Sequence, residues 1–387
     1  MSAMNHELDA SIVIPSHNRR HALELVLVSL KWQRHPAARY EVILVDDGST
    51  DGTREWLHAL ELPANVTLVL RPNGGRGPAR NTGLARARGR IVIFCDADAI
   101  PDPAFVSDHV VAHAGANDRV VCGNMKESVT SWSPDMRSIY LNELECVAGQ
   151  HADIRRCIEA ARRGERVELL SSAEIERDFD AVHRVVLGSS RHSFANIRAT
   201  YGPTLTSFEV PWTLFITQNV SVSRALLDRV GGFDESFVGW GYEDTELGYR
   251  LYQAGAEFRI PDGAWTYHQS HALELGAPGN PVLQNFRDLA ANYRRFFEKH
   301  PTLEVYLHWR VCMGTLTGDQ YSNLVATHRR EADGPLKQDY VRMAHAFALE
   351  YAGLEDPTPF SVRRTHALSR LPQNAPATLS ARTPTAR

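Results

Sequence analysis

Two pairs of neighbouring acids are the residues of this sequence best suited to chemistry. Asp96 and Asp98 directly follow the apolar run of residues 91–95, which is typical of a buried strand in a parallel sheet. Residues i and i+2 of an extended chain point to the same side, so both carboxylates should project from the carboxyl edge of that sheet. Two carboxylates held close together favour a hard divalent cation. The competing interpretation of an isolated Asp-x-Asp sequence is a solvated loop.

The second pair, Glu243 and Asp244, precedes a stretch whose apolar residues have helical spacing. A helix is predicted over residues 245–254, because Leu247 begins an i, i+4, i+7 pattern and a glycine follows the last turn. The two acids should then lie at the helix N-terminus, where the dipole and the free N–H groups stabilise carboxylates. Acids at this position are often only helix caps.

Strands and helices that alternate along the chain should position both pairs. Before residue 100, strands are predicted over residues 11–15, 40–45, 66–70 and 91–95. Helices are predicted over residues 22–32 and 53–60, between the first three of these strands. A third helix has Pro78 in its first turn and ends near residue 89. This alternation indicates a parallel sheet flanked by helices, with right-handed crossovers. Farther along, helices are predicted over residues 138–146 and 154–170 and a strand over residues 212–222, and residues 171–201 have no clear pattern.

The composition argues against several classes of protein. The 387 residues carry a formal net charge of -4, so no basic surface indicates nucleic-acid binding. No window approaches the roughly 18 to 20 apolar residues that span a bilayer, and the polar start of the chain does not resemble a secretory signal. The five cysteines form no C-x-x-C pair. We therefore expect a cytoplasmic enzyme with reduced thiols and no transmembrane segment.

Five short motifs follow one another along the chain. They are Val13-Ile-Pro-Ser-His-Asn-Arg, Val45-Asp-Asp-Gly-Ser-Thr-Asp, Ala79-Arg-Asn-Thr-Gly-Leu, Asp96-Ala-Asp and Gly239-Trp-Gly-Tyr-Glu-Asp-Thr-Glu-Leu. In this order they resemble the motifs of the family 2 glycosyltransferases, which have the GT-A fold. The segment from Thr217 to His268 is similar to the galactosyltransferase-type C-terminal half of chondroitin-polymerase-like and polypeptide GalNAc-transferase-like enzymes. The resemblance covers about residues 10–125 and 212–272, and it implies an α/β fold with a Rossmann-like, mostly parallel sheet.

The resemblance also implies how the chain is divided. A catalytic domain would cover residues 1–272, with a nucleotide-binding half at about residues 10–125, a helical insertion at about residues 126–210 and an acceptor and catalytic half at about residues 211–272. Helical patterns over residues 283–299, 303–313 and 336–351 predict a helical C-terminal extension over residues 273–370, and the composition of residues 371–387 predicts a disordered tail. The insertion and the extension should either shape the acceptor site or form the contact of a homodimer.

The activity that the resemblance implies is a metal-dependent, inverting transfer of a sugar from a nucleotide sugar, most often a UDP-sugar, to a hydroxyl acceptor. Asp98 would bind the metal directly, His268 would be the second protein ligand, and Asp96 would approach the ribose and the metal's waters. Manganese (Mn2+) suits this mixed imidazole and carboxylate site, with magnesium (Mg2+) as the alternative. The residues implied to border the nucleotide are Pro15, Ser16, Asn18, Arg19, Asp46, Asp47, Arg80 and Asp96.

Individual roles follow from the same resemblance. Asp47, or its neighbour Asp46, would accept a hydrogen bond from the uracil N–H, and Arg80 would lie near the base or the diphosphate. Asp244 would be the general base that takes the proton of the acceptor hydroxyl, and Glu243 would contact the acceptor sugar, although the reverse assignment of the two acids stays open.

Aromatic and amide side chains complete the set of candidates for sugar contacts. Trp240, Gly241 and Tyr242, and also Trp212, would lie against a sugar ring, or the aromatic residues would belong to the core. Gln218 and Asn219 would bind donor-sugar hydroxyls or hold a loop. The acceptor would be a glycan, a glycolipid or a natural product.

Other function classes remain open at the level of sequence. A sugar-nucleotide pyrophosphorylase or a dehydrogenase should have a glycine-rich loop after its first strand, where this chain has Pro15-Ser-His-Asn-Arg. A non-catalytic protein that binds sugar nucleotides on the same fold is a further alternative. The presence of Asp96, Asp98, Asp244 and His268 together favours the transferase.

Overall fold

The computed structural model describes residues 8–134, 136, 138–147, 149, 151–187, 194–270, 281–312 and 316–330. Within these ranges, no helix is both long enough and apolar enough to cross a bilayer. The strands there are β1 (Ala10–Ser16), β2 (Tyr40–Asp47), β3 (Val66–Arg71), β4 (Ile91–Cys95), β5 (Ala99–Pro101), β6 (Arg119–Cys122), β7 (Asn124–Ser128), β8 (Ser131–Trp132), β9 (Val167–Glu168), β10 (Asn219–Ser223), β11 (Glu257–Arg259) and β12 (Trp265–Gln269).

Helices connect and cover these strands. Short 3-10 helices also occur at Ala37–Arg39, Phe179–Val185 and Pro211–Leu214. The α-helices are α1 (Arg20–Leu30), α2 (Thr53–Ala59), α3 (Arg76–Leu84), α4 (Phe105–Ala112), α5 (Ser138–Val147), α6 (Ala152–Arg162), α7 (Ser172–Arg177), α8 (Ala195–Tyr201), α9 (Arg224–Val230), α10 (Glu243–Gln253), α11 (Pro281–Lys299), α12 (Leu303–Cys312) and α13 (Gly318–Arg330).

The central sheet has seven strands in the order β11-β6-β10-β4-β1-β2-β3. β1 pairs in parallel with β2 and β4, and β2 pairs in parallel with β3. β10 runs antiparallel to both β4 and β6, so the sheet is mixed but mostly parallel, as predicted. Because β1, β2 and β4 run in the same direction, the polar motifs that follow them meet at one edge of the sheet.

Successive residues of the central strands enter two hydrophobic cores. In β1, Ile12 and Ile14 join Leu23 and other residues of α1, whereas Val13 faces the opposite core with residues of α9 and α10. This alternation is the period of two that an extended chain imposes. The sheet is therefore covered on both faces, which explains why its central strands are continuously apolar.

Three predicted elements differ from the structure. The predicted strand over residues 212–222 begins only at Asn219, because Trp212 lies in a 3-10 helix with its ring fully buried against Tyr249 and Tyr321. The predicted helix over residues 154–170 ends at Arg162, followed by Gly164 with a positive φ of 83° and then by β9. The helix predicted to end near residue 89 ends at Leu84.

A small sheet in the order β5-β12-β7 lies beside the carboxyl end of β4. β12 pairs antiparallel with β5 and in parallel with β7. β5 begins three residues after the Asp96-Ala-Asp motif starts, so the sheet ties a late strand of the chain to that motif. This pairing is the element of the fold that assembles the site.

The described C-terminal helices belong to the same core as the central sheet. Phe296 of α11, Val305 of α12 and Tyr321 of α13 are buried in one cluster with Phe94 of β4 and Trp212. The helices predicted over residues 283–299 and 303–313 correspond to α11 and α12. The proposed domain boundary at residue 272, the helix predicted over residues 336–351 and the tail over residues 371–387 lie outside the described residues.

Candidate active site

The Asp96-Ala-Asp98 segment is a turn and not the extended end of a strand. The N–H of Ala99 donates to the carbonyl oxygen of Asp96 at 3.1 Å. The expectation that the two acids project side by side from an extended chain is therefore wrong. They have different partners, because Asp96 pairs with Arg80 at 3.0 Å whereas Asp98 faces His268.

The sheet register places His268 beside Asp98. In β12, His268 lies opposite Ala99 of β5, and the N–H of Gln269 donates to the carbonyl oxygen of Asp98 at 2.8 Å. The Nε2 atom of His268 is 3.9 Å from a carboxylate oxygen of Asp98. The predicted proximity of these two residues is confirmed, and their role as metal ligands remains a prediction.

The donor atoms at this point fit a divalent cation with an incomplete protein shell. A carboxylate oxygen of Asp98 and an imidazole nitrogen of His268, 3.9 Å apart, are donor atoms of the kinds that divalent cations bind. In the part of the chain that the structure describes, no group of three or more His, Cys, Asp or Glu side chains could hold a metal ion. The protein would supply few ligands, and phosphate oxygens and water would supply the others, as is usual where a metal binds a nucleotide.

Glu127 of β7 is a member of this site that the sequence did not reveal. It lies opposite His268 in the parallel register, and its carboxylate is 3.0 Å from Nδ1 of His268. The hydroxyl of Ser270 also donates to it at 2.9 Å. Burial lowers the pKa of His268, but the bond to Glu127 and the charges of Asp98, Glu127 and Asp96 raise it overall. A carboxylate behind an imidazole fixes the orientation of the ring.

Arg80 joins the two acidic pairs. Its buried guanidinium donates to Asp96 through Nη2 and to Glu243 through Nη1, both at 3.0 Å. Burial opposes the charge of Arg80, but the charges of Asp96, Glu243 and Asp244 outweigh it and raise the pKa. These carboxylates occupy both Nη atoms of Arg80, and its Nε atom is buried without a partner among the described residues. The location of Arg80 near the base or the diphosphate remains a prediction.

Asp244 is the less restrained acid of the second pair. Its carboxylate accepts the N–H of Thr245 at 2.7 Å and the N–H of Thr217 at 3.5 Å, whereas Glu243 is buried in its ion pair with Arg80. Burial and the neighbouring charge of Glu243 raise the pKa of Asp244 to about 6, against the opposing effect of Arg80. A carboxylate with this pKa is ionised at neutral pH and holds a proton more readily than an ordinary Asp, as a general base requires.

The predicted uracil contacts lie around the end of β2. Asp47 accepts the N–H groups of Gly74 at 3.1 Å and Gly75 at 2.8 Å, and it pairs with Arg71. A carboxylate has about four acceptor positions, so a further bond to a uracil N–H is compatible with this arrangement. Asp46 is fully buried and pairs with Arg54, which argues against it as the alternative acceptor.

The end of β1 forms a neighbouring rim. The hydroxyl of Ser16 is buried and has no hydrogen-bond partner among the described residues, so a ligand could satisfy it. Asn18 has a positive φ of 52°, and its N–H donates to Ser49 at 3.0 Å. Arg19 is exposed and Pro15 is partly buried. The placement agrees with a nucleotide rim, and the contacts remain a prediction.

The predicted sugar contacts divide into accessible and inaccessible residues. Trp240 is 42% exposed and could stack on a ring, but Tyr242 is only 3% exposed. Tyr242 packs against Tyr293 and Phe296, so the structure contradicts its predicted stacking, as it does for the buried Trp212. Gly241 has a positive φ of 96° and separates Trp240 from Tyr242.

The two amide candidates also differ. Asn219 donates to the carbonyl oxygens of Asn124 and Ala264, both at 2.8 Å, and its own oxygen contacts His109. It therefore holds a loop, and the structure contradicts its predicted bond to a donor sugar. The amide nitrogen of Gln218 is buried without a partner in the described part of the chain, which leaves it available to a ligand.

Family comparisons agree with these features. Residues 11–166 match the family described as "Glycosyl transferase family 2". Residues 203–272 match a second family, described as "N-terminal domain of galactosyltransferase". The two stretches contain both acidic pairs and His268.

Individual relatives extend the match beyond these stretches. Uncharacterized glycosyltransferase YfnE of Bacillus subtilis is 31% identical over 78% of this chain and 73% of its own length. Validoxylamine A glucosyltransferase of Streptomyces hygroscopicus subsp. jinggangensis is 30% identical over 80% of this chain and 65% of its own length. Chondroitin synthase of Escherichia coli is 31% identical over 67% of this chain, which spans only 34% of that enzyme.

Among solved structures, S. aureus TarS 1-349 aligns with a TM-score of 0.49 and 18% identity, covering 94% of this chain and 92% of that one.

The extent of the match to YfnE, together with the two family matches, decides between the transferase and the other classes that the sequence left open. The chain belongs to glycosyltransferase family 2 and is a glycosyltransferase.

Proposed function

We propose that this protein transfers a sugar from a UDP-sugar to a hydroxyl acceptor with inversion at the anomeric carbon, in a reaction that depends on a divalent cation. The observation that carries the proposal is the position of Arg80 between Asp96 and Glu243. It joins the acidic turn suited to the diphosphate and its cation to the acids suited to the acceptor. A donor and an acceptor bound at these two places would be adjacent.

Asp244 is the proposed base. The acceptor hydroxyl is a poor nucleophile, so its proton must move to a carboxylate as the new bond to the anomeric carbon forms. The bond between that carbon and the UDP oxygen breaks in the same step, and UDP leaves from the opposite side. Glu243 is the weaker candidate because Arg80 occupies one of its oxygens at 3.0 Å, and we assign it to the positioning of the acceptor.

Asp98 and His268 are the proposed protein ligands of a manganese or magnesium ion, and Asp96 would reach its water shell. When bound, the ion would neutralise the charge that develops on the departing diphosphate. Glu127 would keep the His268 ring directed at Asp98. Asp47 would keep the loop between β3 and α3 folded beside the uracil, through its bonds to Gly74 and Gly75.

The acceptor is proposed to be a sugar or a sugar-like alcohol on a glycan, a glycolipid or a natural product. The named relatives include a glucosyltransferase of validoxylamine A and a chondroitin synthase. The exposed indole of Trp240, close in sequence to Asp244, is suited to stacking on the apolar face of a sugar ring, which carries C–H groups. Glucose is the first donor sugar to test.

A donor panel tests the proposal. Purified protein is incubated with UDP-glucose, UDP-galactose, UDP-GlcNAc, UDP-GalNAc, UDP-glucuronic acid and GDP-mannose, and release of the nucleotide by slow hydrolysis is measured. We expect release from at least one UDP-sugar, its loss with EDTA and its recovery with Mn2+. Release from GDP-mannose alone would contradict the assignment of UDP, and turnover that EDTA leaves unchanged would contradict the role of the cation.

A further inference from the structure

Helix α11 lies outside both stretches that match a family, but it holds the loop of residues 238–242. The amide nitrogen of Asn292 donates to the carbonyl oxygens of Val238 at 3.0 Å and Gly241 at 2.9 Å. Asn292 is buried, and its side-chain oxygen accepts from Arg295 at 2.9 Å. One side chain of α11 therefore fixes both ends of the loop.

A second side chain of α11 bonds to the middle of the loop. A carboxylate oxygen of Asp288 accepts the N–H of Trp240 at 3.2 Å. A Cβ atom at Gly239 would lie 2.2 Å from Asp288, and one at Gly241 would lie 2.7 Å from Leu289. Both glycines also have positive φ values. The two glycines of the motif are thus explained by the close approach of α11 and by the backbone conformation of the loop.

The loop ends in a strained residue that α11 and α12 surround. Tyr242 has a positive φ of 70°, which a bulky residue adopts only when its surroundings impose it. Its ring packs against Tyr293 and Phe296 of α11 and against His308 of α12. Because α10 begins at the next residue, the position of α11 determines where Glu243 and Asp244 lie.

We propose that Asn292, assisted by Asp288, is a positioning residue for the acceptor side of the site. By bonding both ends of the 238–242 loop, it keeps the indole of Trp240 accessible and directs the start of α10. Val238 and Trp240 are 71% and 42% exposed, so the loop offers an apolar surface whose placement depends on α11. The consequence for turnover rests on the proposed function, whereas the placement of the loop does not.

Hydrogen exchange measures the placement of the loop without any substrate. Asn292→Asp keeps the size of the side chain but replaces the donor to two carbonyl oxygens with an acceptor. We expect amide exchange in a peptide covering residues 238–242 to rise at least tenfold, with exchange in β1 and β4 unchanged. Asn285→Asp, an exposed substitution on the same helix, is the matched control and should leave the loop unchanged.

Kinetics then separate positioning from general damage. With the UDP-sugar that the wild-type protein hydrolyses best, Asn292→Asp should lower kcat at least tenfold and leave both the KM for the donor and the Kd of UDP within twofold. Asp288→Ala, at a partly buried position, should also raise exchange in the loop and lower kcat, each by a smaller factor than Asn292→Asp. If Asn292→Asp does not fold, Asp288→Ala is the variant that tests the proposal.

Two results would overturn the inference. The first is unchanged exchange of the loop in Asn292→Asp, or in Asp288→Ala if only that variant folds. The second is faster exchange of the loop accompanied by a kcat equal to that of the wild type. If the wild-type protein hydrolyses no nucleotide sugar, the proposed function fails, and the exchange experiment still decides whether α11 holds the loop.

Discussion

The guanidinium of Arg80 lies 3.0 Å from the carboxylate of Glu243, although the two residues are 163 positions apart in the sequence. The same guanidinium pairs with Asp96. This bridge joins acids of the two family-matched stretches. The proposed division of labour, in which one acidic pair serves the donor and the other the acceptor, depends on it.

Arg80→Lys should therefore lose both stability and turnover. A lysine ammonium is a single point charge and cannot bond two carboxylates as the planar guanidinium does. Loss of one partner of a buried ion pair costs about 3 kcal/mol or more. We expect a clear fall in Tm and a fall in kcat of at least about 100-fold, measured by thermal unfolding and by donor hydrolysis. Arg86→Lys, an exposed change just after the same helix, is the control, and equal behaviour of the two variants would contradict the bridge.

The rate should depend on pH through Asp244. Burial and the charge of Glu243 raise its pKa to about 6, and the base acts only when ionised. The kcat for donor hydrolysis should therefore rise as pH increases through about 6 and become constant above about 7. Glu243→Gln removes one cause of the raised pKa and should move this rise in kcat to lower pH. A rise centred near pH 4 in the wild type would contradict the assignment of Asp244 as the base.

Metal affinity should depend on Glu127, although it is not a proposed ligand. Its carboxylate lies 3.0 Å from Nδ1 of His268, and loss of such a partner typically weakens metal binding by 10- to 100-fold. We expect Glu127→Gln to weaken Mn2+ binding in the presence of UDP by about tenfold, measured by electron paramagnetic resonance titration. Glu61→Gln, an exposed loop change, should bind as the wild type does. Equal Mn2+ affinity in both variants would show that Glu127 does not contribute to metal binding.

Two buried histidines should make the fold sensitive to acid. Burial lowers the pKa of His109 to about 4 and that of His113 to about 3, with smaller contributions to His113 from His109, Arg119 and Arg90. Both side chains bond to Ser221 of β10 at 2.8 Å. In the unfolded chain they titrate near 6.5, so their stabilising effect is complete above that pH and is lost as the pH falls towards 4.

The free energy of unfolding should fall by about 2 kcal/mol per histidine between pH 6.5 and 5, because the limiting slope is about 1.4 kcal/mol per pH unit for each histidine. Urea unfolding at pH 7.5 and 5.0 measures it. His113→Asn should reduce the difference in unfolding free energy between the two pH values. An unchanged difference would show that His113 is protonated in the folded protein.

The sequence predicted the parts of this site that local pattern determines. The strand before Asp96, the helix after Glu243 and the alternation of strands and helices before residue 100 follow from apolar periodicity and from glycines and prolines near their ends. The proximity of His268 and Asp98 came from the family motifs, since no local pattern brings a strand near residue 268 to a turn near residue 98.

The features that the sequence did not predict depend on tertiary contacts. Glu127 lies in a short polar strand whose register with β12 becomes apparent only in the sheet. The sequence left open whether Trp212 and Tyr242 contact a sugar or belong to the core, and the C-terminal helices enclose both. The turn at Asp96 interrupts a strand that would otherwise have continued to Asp98. For Glu127, Trp212 and Tyr242, residues far apart in the chain determine the local environment.

The most direct test of the account is turnover by Asp244→Asn with UDP binding measured on the same preparation. The folded-state pKa of Asp244 is raised, so its ionised form weakens the fold above pH 6, and the amide should not destabilise the protein. We predict UDP affinity within twofold of the wild type and a kcat at least about 1,000-fold lower. A variant that binds UDP and turns over the donor at the wild-type rate would contradict the proposed mechanism.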